Sequence, residues 1–477
     1  MEPSNHANED HTLTEDTATP EAAPAVEGPI AEGNVIDRGD HSISRRSIPE
    51  NVLKVLYRLH RSGYRAYLCG GSVRDLLMER TPKDFDVVTD AHPGDVRRLF
   101  RNSRIIGRRF RLVHIIFQDQ VVEVATFRRE PDRAVQVPSA EDVETEEDFL
   151  ITDDNTFGSP LQDARRRDFT INAMFYNIAD FSVIDYVGGL EDIAQGRVRV
   201  IGDPDLRFRE DPVRMMRAIE FASRLGFEIE AATYDGILRH RNEILKASAP
   251  RVSEEILELL RRGWSRGAVR LMVDTGLLEP LLPEIYNAIK GDRAPYFWKM
   301  LEVLDRTVQA GRKISDAVLL SVLVLPWVVG EIEHEEAKRH GLSGEAAEPG
   351  EIEVHTDAEA DSAAARMRLG EVILFIRDLI QPLCARLSLA AGTRHQMEQA
   401  LETFWRLLEP PSDRRAQFRA VYRDPFSDAL SLLELYALSS GRYVDVFRQW
   451  QAFAVRVKRA QEEVEGTVKK RRRRRRH

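Results

Sequence analysis

The stretch that most constrains this chain is Leu68-Cys69-Gly70-Gly71-Ser72-Val73-Arg74-Asp75, followed soon after by Lys83-Asp84-Phe85-Asp86-Val87-Val88. Ala66–Cys69 reads as a short strand that runs into a double glycine. A helix then starts at Ser72, with Ser as its N-cap, and is predicted to reach Glu79. Glycines let backbone approach a phosphate closely, and a helix start offers free N–H groups to an anion. Arg74, in the first turn, adds charge within reach of a triphosphate. Asp84–Val88 reads as a strand, in which residues i and i+2 share a face. Asp84 and Asp86 then project side by side, with Phe85 on the opposite face. Paired carboxylates repel unless a cation lies between them. Mg²⁺ suits the pair, because it takes few carboxylates and completes its shell with water and substrate phosphates. Taken singly, Asp-x-Asp is common in turns, and a double glycine is an ordinary βα turn. Together they place a phosphate cradle and a cation site on the same edge of a sheet.

The flanking segments extend this α/β pattern. Ile48–Ser62 carries Val52, Val55, Leu56 and Leu59 at helical spacing, and Pro93–Asn102 reads as a helix with Pro in its first turn. Arg111–Phe117 and Val121–Phe127 are β-rich runs around Gln118-Asp119-Gln120, which predicts a hairpin. Glu123 interrupts the second run, a carboxylate either on the solvent face or near a metal. From Leu161 onward helices dominate, apart from strand-like stretches at Phe181–Tyr186 and Val198–Ile201. The longest apolar run, Ala317–Gly330, is shorter than the ~18 residues a membrane span needs, so it reads as a buried helix.

Charge is unevenly placed. Residues 1–50 carry a net −8, residues 331–361 carry −9, and Lys469–Arg476 carries +8, so the overall −9 says little about partners. The remainder is locally basic instead. Arg97, Arg98, Arg101, Arg104, Arg108, Arg109 and Arg111 form one cluster, and Arg165–Arg167 another. Such clusters are the footprint of a phosphate-rich ligand, or of a solvated helix face. Two cysteines, Cys69 and Cys384, exclude a disulfide framework and a Cys-rich zinc site, which suits a reducing compartment. Met1–Asp10 bears acids where an export signal needs a basic start, so a cytoplasmic location is expected.

Two further motifs open the helical part. Arg166-Arg167-Asp168-Phe169-Thr170-Ile171-Asn172-Ala173 offers Arg167 and Asp168 to a ribose, phosphate or base, or holds a local ion pair. In Glu210-Asp211-Pro212-Val213-Arg214-Met215-Met216-Arg217, residues 210, 214 and 217 are spaced to share one helix face. They can read a nucleobase edge or form i,i+4 salt bridges.

In this order, Gly70–Asp75, Lys83–Val87, Arg166–Ala173 and Arg209–Phe227 resemble the class II nucleotidyltransferases of the polymerase-β superfamily. That group holds the CCA-adding tRNA nucleotidyltransferases and the bacterial poly(A) polymerases. Ile105–His114 is similar to a segment that marks the latter, and Asn155–Ser159, Asp185–Leu190 and the polybasic C-terminus are similar too. The resemblance implies a five-stranded nucleotidyltransferase head in a mixed α/β sheet, then a mostly α-helical neck, body and tail. On this reading residues 1–47 are a disordered acidic N-terminus and 48–178 the head. Residues 179–275 form the neck. Residues 276–468 form an RNA-binding body with an acidic insertion at 331–361, and 469–477 a polybasic tail. It implies metal binding by Asp84 and Asp86, with Asp168 as a third catalytic residue. Nucleotide binding falls to Gly70, Gly71, Arg74, Arg167, Glu210, Asp211 and Arg214, and RNA binding to Arg108, Arg109 and Arg111. The expected reaction is template-independent addition of AMP from ATP to RNA 3′ ends with Mg²⁺, the alternative being CCA addition to tRNA. RNA-turnover proteins are the expected protein partners.

Overall fold

The structure, a computed structural model, describes residues 33–107, 111–129, 156–339 and 367–474. Eight strands build one mixed sheet: β1 (Asn34–Ile36), β2 (Ala66–Cys69), β3 (Asp86–Thr89), β4 (Ser103–Ile106), β5 (Leu112–Ile116), β6 (Val121–Thr126), β7 (Met174–Asn177) and β8 (Val183–Asp185). Their spatial order is β1-β8-β7-β2-β3-β6-β5-β4. β3 and β6 run parallel, and all other neighbours in this sheet are antiparallel. β2 is central and buried along its whole length, as its unbroken Ala-Tyr-Leu-Cys run requires. In β6, by contrast, buried Val122 and Val124 alternate with exposed Val121 and Glu123.

Helices α1 (Glu50–Arg61), α2 (Gly71–Leu77) and α3 (Pro93–Leu99) cover one face of the sheet. Val52, Val55, Leu56 and Leu59 are fully buried there, as their spacing predicted. At about 25 cal/mol per Å² of apolar surface, each contributes roughly 1.5–3 kcal/mol. The other face is packed near its centre by Ala164 of α4 (Pro160–Arg166), against Tyr67, Val88, Phe127 and Phe175. A capping box starts α4: Ser159 Oγ accepts from Gln162 N, and Gln162 Oε1 accepts from Ser159 N at 2.8 Å.

Beyond the sheet come α5 (Gly189–Ala194), α6 (Pro204–Glu210), α7 (Val213–Leu225), α8 (Ala231–His240) and α9 (Ala249–Arg261), then further helices to Arg474. One apolar core runs through them from Phe169 to Val457. The Ala317–Gly330 run lies within the helix Asp316–Arg339, which is long and apolar enough to cross a membrane. Because 83% of its most apolar window is buried in the protein, it is a core helix, as expected.

Several expectations need correction. The sheet has eight strands, not five. Its edge strand β1, the 3₁₀ turn Arg45–Ser47 and the buried Ile43 lie inside the segment expected to be disordered. β8 extends the head beyond residue 178 and pairs with β1. The helix from Pro93 ends at Leu99, and the chain then forms β4, so Arg101 and Arg104 do not lie on a helix face. The basic run 469–474 continues the helix Val444–Arg474. Residues 1–32, 130–155 and most of the acidic insertion, 340–361, lie outside the described residues.

Candidate active site

A cleft of about 530 Å³ opens where the ends of β2 and β3 meet the neck helices α7 and α9. The glycine turn, Asp84, Asp86, Arg167 and Asp168 line it on the head side. Gly70 has φ 72° and ψ −143°, a conformation that disfavours any side chain, and it N-caps α2. Ser72 is therefore not the cap. It lies inside the helix, and its Oγ donates to Cys69 O at 2.8 Å. A methyl group on Gly70 would sit 3.7 Å from Asp86 Oδ2 and 3.5 Å from Arg167 Nη1, so the glycine bend and the acidic strand form one site.

β3 begins at Asp86. Asp84 lies in the two residues ahead of it, rather than inside the strand. Both still face the cleft. Asp86 pairs in register with Glu123 of β6, a relationship that sequence reading left open. The Asp86 carboxyl is pushed up to about 6, first by desolvation and then by the Glu123 charge; Asp84 adds to this and Arg167 opposes it.

Arg167 is held from the side by α4. Its Nε donates to Asp163 Oδ2 at 3.0 Å, and Asp163 Oδ1 accepts from the backbone of Arg128 at 3.1 Å. Asp168 pairs not with Arg167 but with Arg217 of α7, whose Nε donates to Oδ2 at 2.8 Å. Asp168 Oδ1 accepts from its neighbour Phe169 N at 2.8 Å. Although burial alone would raise the Asp168 pKa, Arg217 and this backbone donor hold it below the usual carboxylate range. Asp168 in turn raises the Arg217 pKa. Arg74 is buried, which lowers its pKa, and is fixed by Asp75 at 2.8 Å and by Asn172 Oδ1. Arg74 of the head and Arg217 and Arg224 of α7 each lie 5.4 Å from the ring centroid of Phe221, so one aromatic side chain spaces three cations where head and neck meet.

The 210–217 segment is arranged differently from expectation. α6 ends at Glu210, Asp211 is non-helical, and α7 starts after Pro212, so residues 210, 214 and 217 do not share one helix. Glu210 and Arg214 are buried behind the cleft. Arg207 Nη1 donates to Glu210 Oε2 at 2.9 Å, Arg214 Nη1 donates to the same oxygen at 3.2 Å, and Arg207 Nη2 donates to the carbonyls of Arg166 and Arg167 at 2.7 and 2.8 Å. The pair therefore braces the backbone that carries Arg167 and Asp168. Asp211 is taken by Arg251 at 2.9 and 2.8 Å. Arg111 is exposed beside β5; Arg108 and Arg109 lie outside the described residues.

Sequence reading missed Asp163, Arg207, Phe221, Arg224 and Glu255. The last three reach the cleft from neck helices remote in sequence, which no local pattern signals. Among the described residues no group of three His, Cys, Asp or Glu is arranged to hold a metal. Asp84 and Asp86 nevertheless fit Mg²⁺, whose remaining positions go to water and phosphate oxygens. Both open into the same cleft, beside the glycine bend that a phosphate would approach.

Comparison with known proteins agrees with this geometry. Residues 66–199 match the family model described as the Poly A polymerase head domain, and residues 226–289 the one described as the probable RNA and SrmB- binding site of polymerase A. The chain is 39% identical over 406 residues to Poly(A) polymerase I of Escherichia coli O6:H1, covering 84% of this chain and 82% of that protein. It is 37% identical over 231 residues to a CCA-adding enzyme of Bacillus velezensis, covering 48% of this chain and 55% of that protein. A solved CCA-adding enzyme of Bacillus stearothermophilus in complex with CTP superposes with a TM-score of 0.52 at 23% identity, covering 84% of this chain and 81% of that one, which shows a shared fold. With most of its length aligned to Poly(A) polymerase I, and with the head sheet and helical remainder of that fold, the chain belongs to the poly(A) polymerase family.

Proposed function

We propose that this protein is a polynucleotide adenylyltransferase that adds AMP from ATP to RNA 3′ ends without a template and releases pyrophosphate. The observation that carries the reading is the convergence of the Gly70 bend, Asp86 and Arg167 on one cleft whose other wall holds Arg217 and Arg224. Asp84 and Asp86 are the residues that would hold Mg²⁺. When bound, the metal supplies a Lewis acid that lowers the pKa of the 3′-hydroxyl and offsets charge on the departing pyrophosphate. Gly70 and Gly71 leave room for the triphosphate against the backbone. Arg74 and Arg217 face its charge from fixed positions, so little reorganisation accompanies the reaction. Asp168 accepts from Arg217 at Oδ2 and from Phe169 N and, at 3.4 Å, Asn172 Nδ2 at Oδ1, so it acts by fixing Arg217 at the cleft, and a ribose hydroxyl would have to displace the long Asn172 bond. Glu123, in register with Asp86, places negative charge beside the pair without lining the cleft. Glu210 and Arg214 act by holding Arg207 against the Arg166–Arg167 carbonyls.

RNA contacts are assigned to Arg111 and to residues 226–289, whose family description names RNA and SrmB; protein partners in RNA turnover fit the same region. The buried, unpaired thiols of Cys69 and Cys384 suit a cytoplasmic location.

CCA addition is the second reading, favoured by the relative of that name over 48% of the chain. Incubating purified protein with a generic RNA and each NTP separately distinguishes the two. Long tracts from ATP alone are expected; CCA added only to tRNA would replace the first reading with the second.

A further inference from the structure

Among the described residues, nothing covers the face of β6, β5 and β4 beside the carboxylates. Register aligns four residues across four adjacent strands: Asp86 of β3, Glu123 of β6, His114 of β5 and Arg104 of β4. His114 Nε2 lies 3.2 Å from Glu123 Oε1. In the next row of the same face, Ile116 pairs with Val121. They are 40% and 48% exposed, large values for apolar side chains on strands whose opposite face, with Val113, Ile115, Val122 and Val124, is core. Arg104 is exposed at the end of the charged row. At about 4.8 Å per strand, the row runs roughly 14 Å from Asp86 to Arg104.

Topology gives this face a direction. β3 lies between β2 and β6. The groups suited to the triphosphate that the chain supplies directly after β2, Gly70, Gly71 and Arg74, lie on the β2 side of Asp86. In phosphoryl and nucleotidyl transfer the attacking and leaving oxygens lie roughly in line on opposite sides of phosphorus. The attacking 3′-hydroxyl must therefore arrive from the β6 side.

We infer that the 3′-terminal nucleotides of the RNA lie across the open face of β6, β5 and β4, with Ile116 and Val121 against ribose and base and Arg104 on a backbone phosphate. The inference rests on the adenylyltransferase reading. Two exposed apolar side chains beside one guanidinium supply what a strand of any sequence needs, a surface for base and ribose and a charge for phosphate, while the carboxylate end of the row is kept for the metal and the reacting hydroxyl. Continuity with the carboxylate row singles out the reacting end of the RNA over other occupants of this face.

The test uses the full chain, an oligo(A) RNA with 4-thiouridine at the penultimate position, ATP and Mg²⁺. Photocrosslinks should map to β4, β5 and the start of β6, residues 103–106, 112–116 and 121–123. Arg104→Glu should raise KM for the RNA about tenfold and flatten its salt dependence, leave KM for ATP unchanged, and be largely rescued by Arg104→Lys. Val121→Asp should also raise the RNA KM. Crosslinks confined to the helical body, with an unchanged RNA KM in both variants, would overturn the inference. So would a concentration-dependent dimer abolished by Val121→Asp with RNA kinetics intact, because the face would then belong to a second copy. A wild-type chain that adds no AMP in this assay defeats the parent reading instead, and is recognised before any variant is made.

Discussion

Arg217, on the neck helix α7, donates to Asp168 at 2.8 Å across 49 positions of sequence. This ion pair joins the head to the neck in the floor of the cleft. Asp168→Asn should lower stability by about 1–2 kcal/mol, a figure discounted because Arg217 is 38% exposed. Since the folded-state pKa of Asp168 is lowered, its contribution is fully present above the unfolded value of about 3.9 and is lost as pH falls through the lower folded value. The gap in urea midpoint between wild type and Asp168→Asn should hold from pH 7 to 5 and shrink below pH 4. A gap that persists undiminished at pH 3 would count against the pairing.

Replacing Gly70 with alanine forces a Cβ into φ 72° and places a methyl within 4 Å of Arg167 and Asp86. The backbone cost is roughly 1–3 kcal/mol. Nucleotide addition should fall more than stability does, by over tenfold, because the added methyl fills the space where a phosphate would approach. Melting temperature and steady-state rates on one preparation check this.

Asp84→Asn and Asp86→Asn each remove a hard, charged ligand but little volume. Pyrophosphate release should drop by roughly a thousandfold or more for each, the several kcal/mol a Lewis acid supplies. RNA affinity, measured by filter binding, should change little. Addition that survives in both variants would refute the carboxylate assignment.

Glu210→Ala leaves Arg207 and Arg214 without their shared acceptor, at side-chain exposures of 4% and 9%. Breaking a buried pair in this way costs about 3–5 kcal/mol. KM for ATP should rise as well, since Arg207 holds the carbonyls of Arg166 and Arg167. Chemical denaturation and ATP kinetics read the two effects separately.

What was legible in the sequence was local. The strand, glycine pair and short helix at 66–77 and the carboxylates at 84 and 86 are set by neighbours along the chain, and they fold nearly as read. β1 and β4 were missed because three or four residues such as Asn34-Val35-Ile36 or Ser103-Arg104-Ile105-Ile106 carry no periodicity. They are strands because β8 and β5 pair with them. The break between Glu210 and Arg214 did leave a sign: Pro212 disfavours helix at Asp211, and it was outweighed by the i,i+4 spacing. The Asp168–Arg217 pair and the approach of Arg74 to Phe221 depend on tertiary packing that no local pattern reports, whereas Arg217 and Arg224 flank Phe221 at helical spacing within α7.

The place of β1 in the sheet bears on how the chain is made. β1 closes the edge beside β8, and β8 in turn follows β7, the partner of β2. A nascent chain emerging from the ribosome can pair β3 to β6 early, but β2 keeps one bare side and β1 has no mate until residue 185 has been synthesised. Arg217 comes later still. β1 and one edge of β2 thus wait, with unmatched backbone amides, for most of the head to be translated. Strand pairing over such sequence separations forms slowly and leaves edges exposed while it does, so this edge of the head is the last part of the sheet to close.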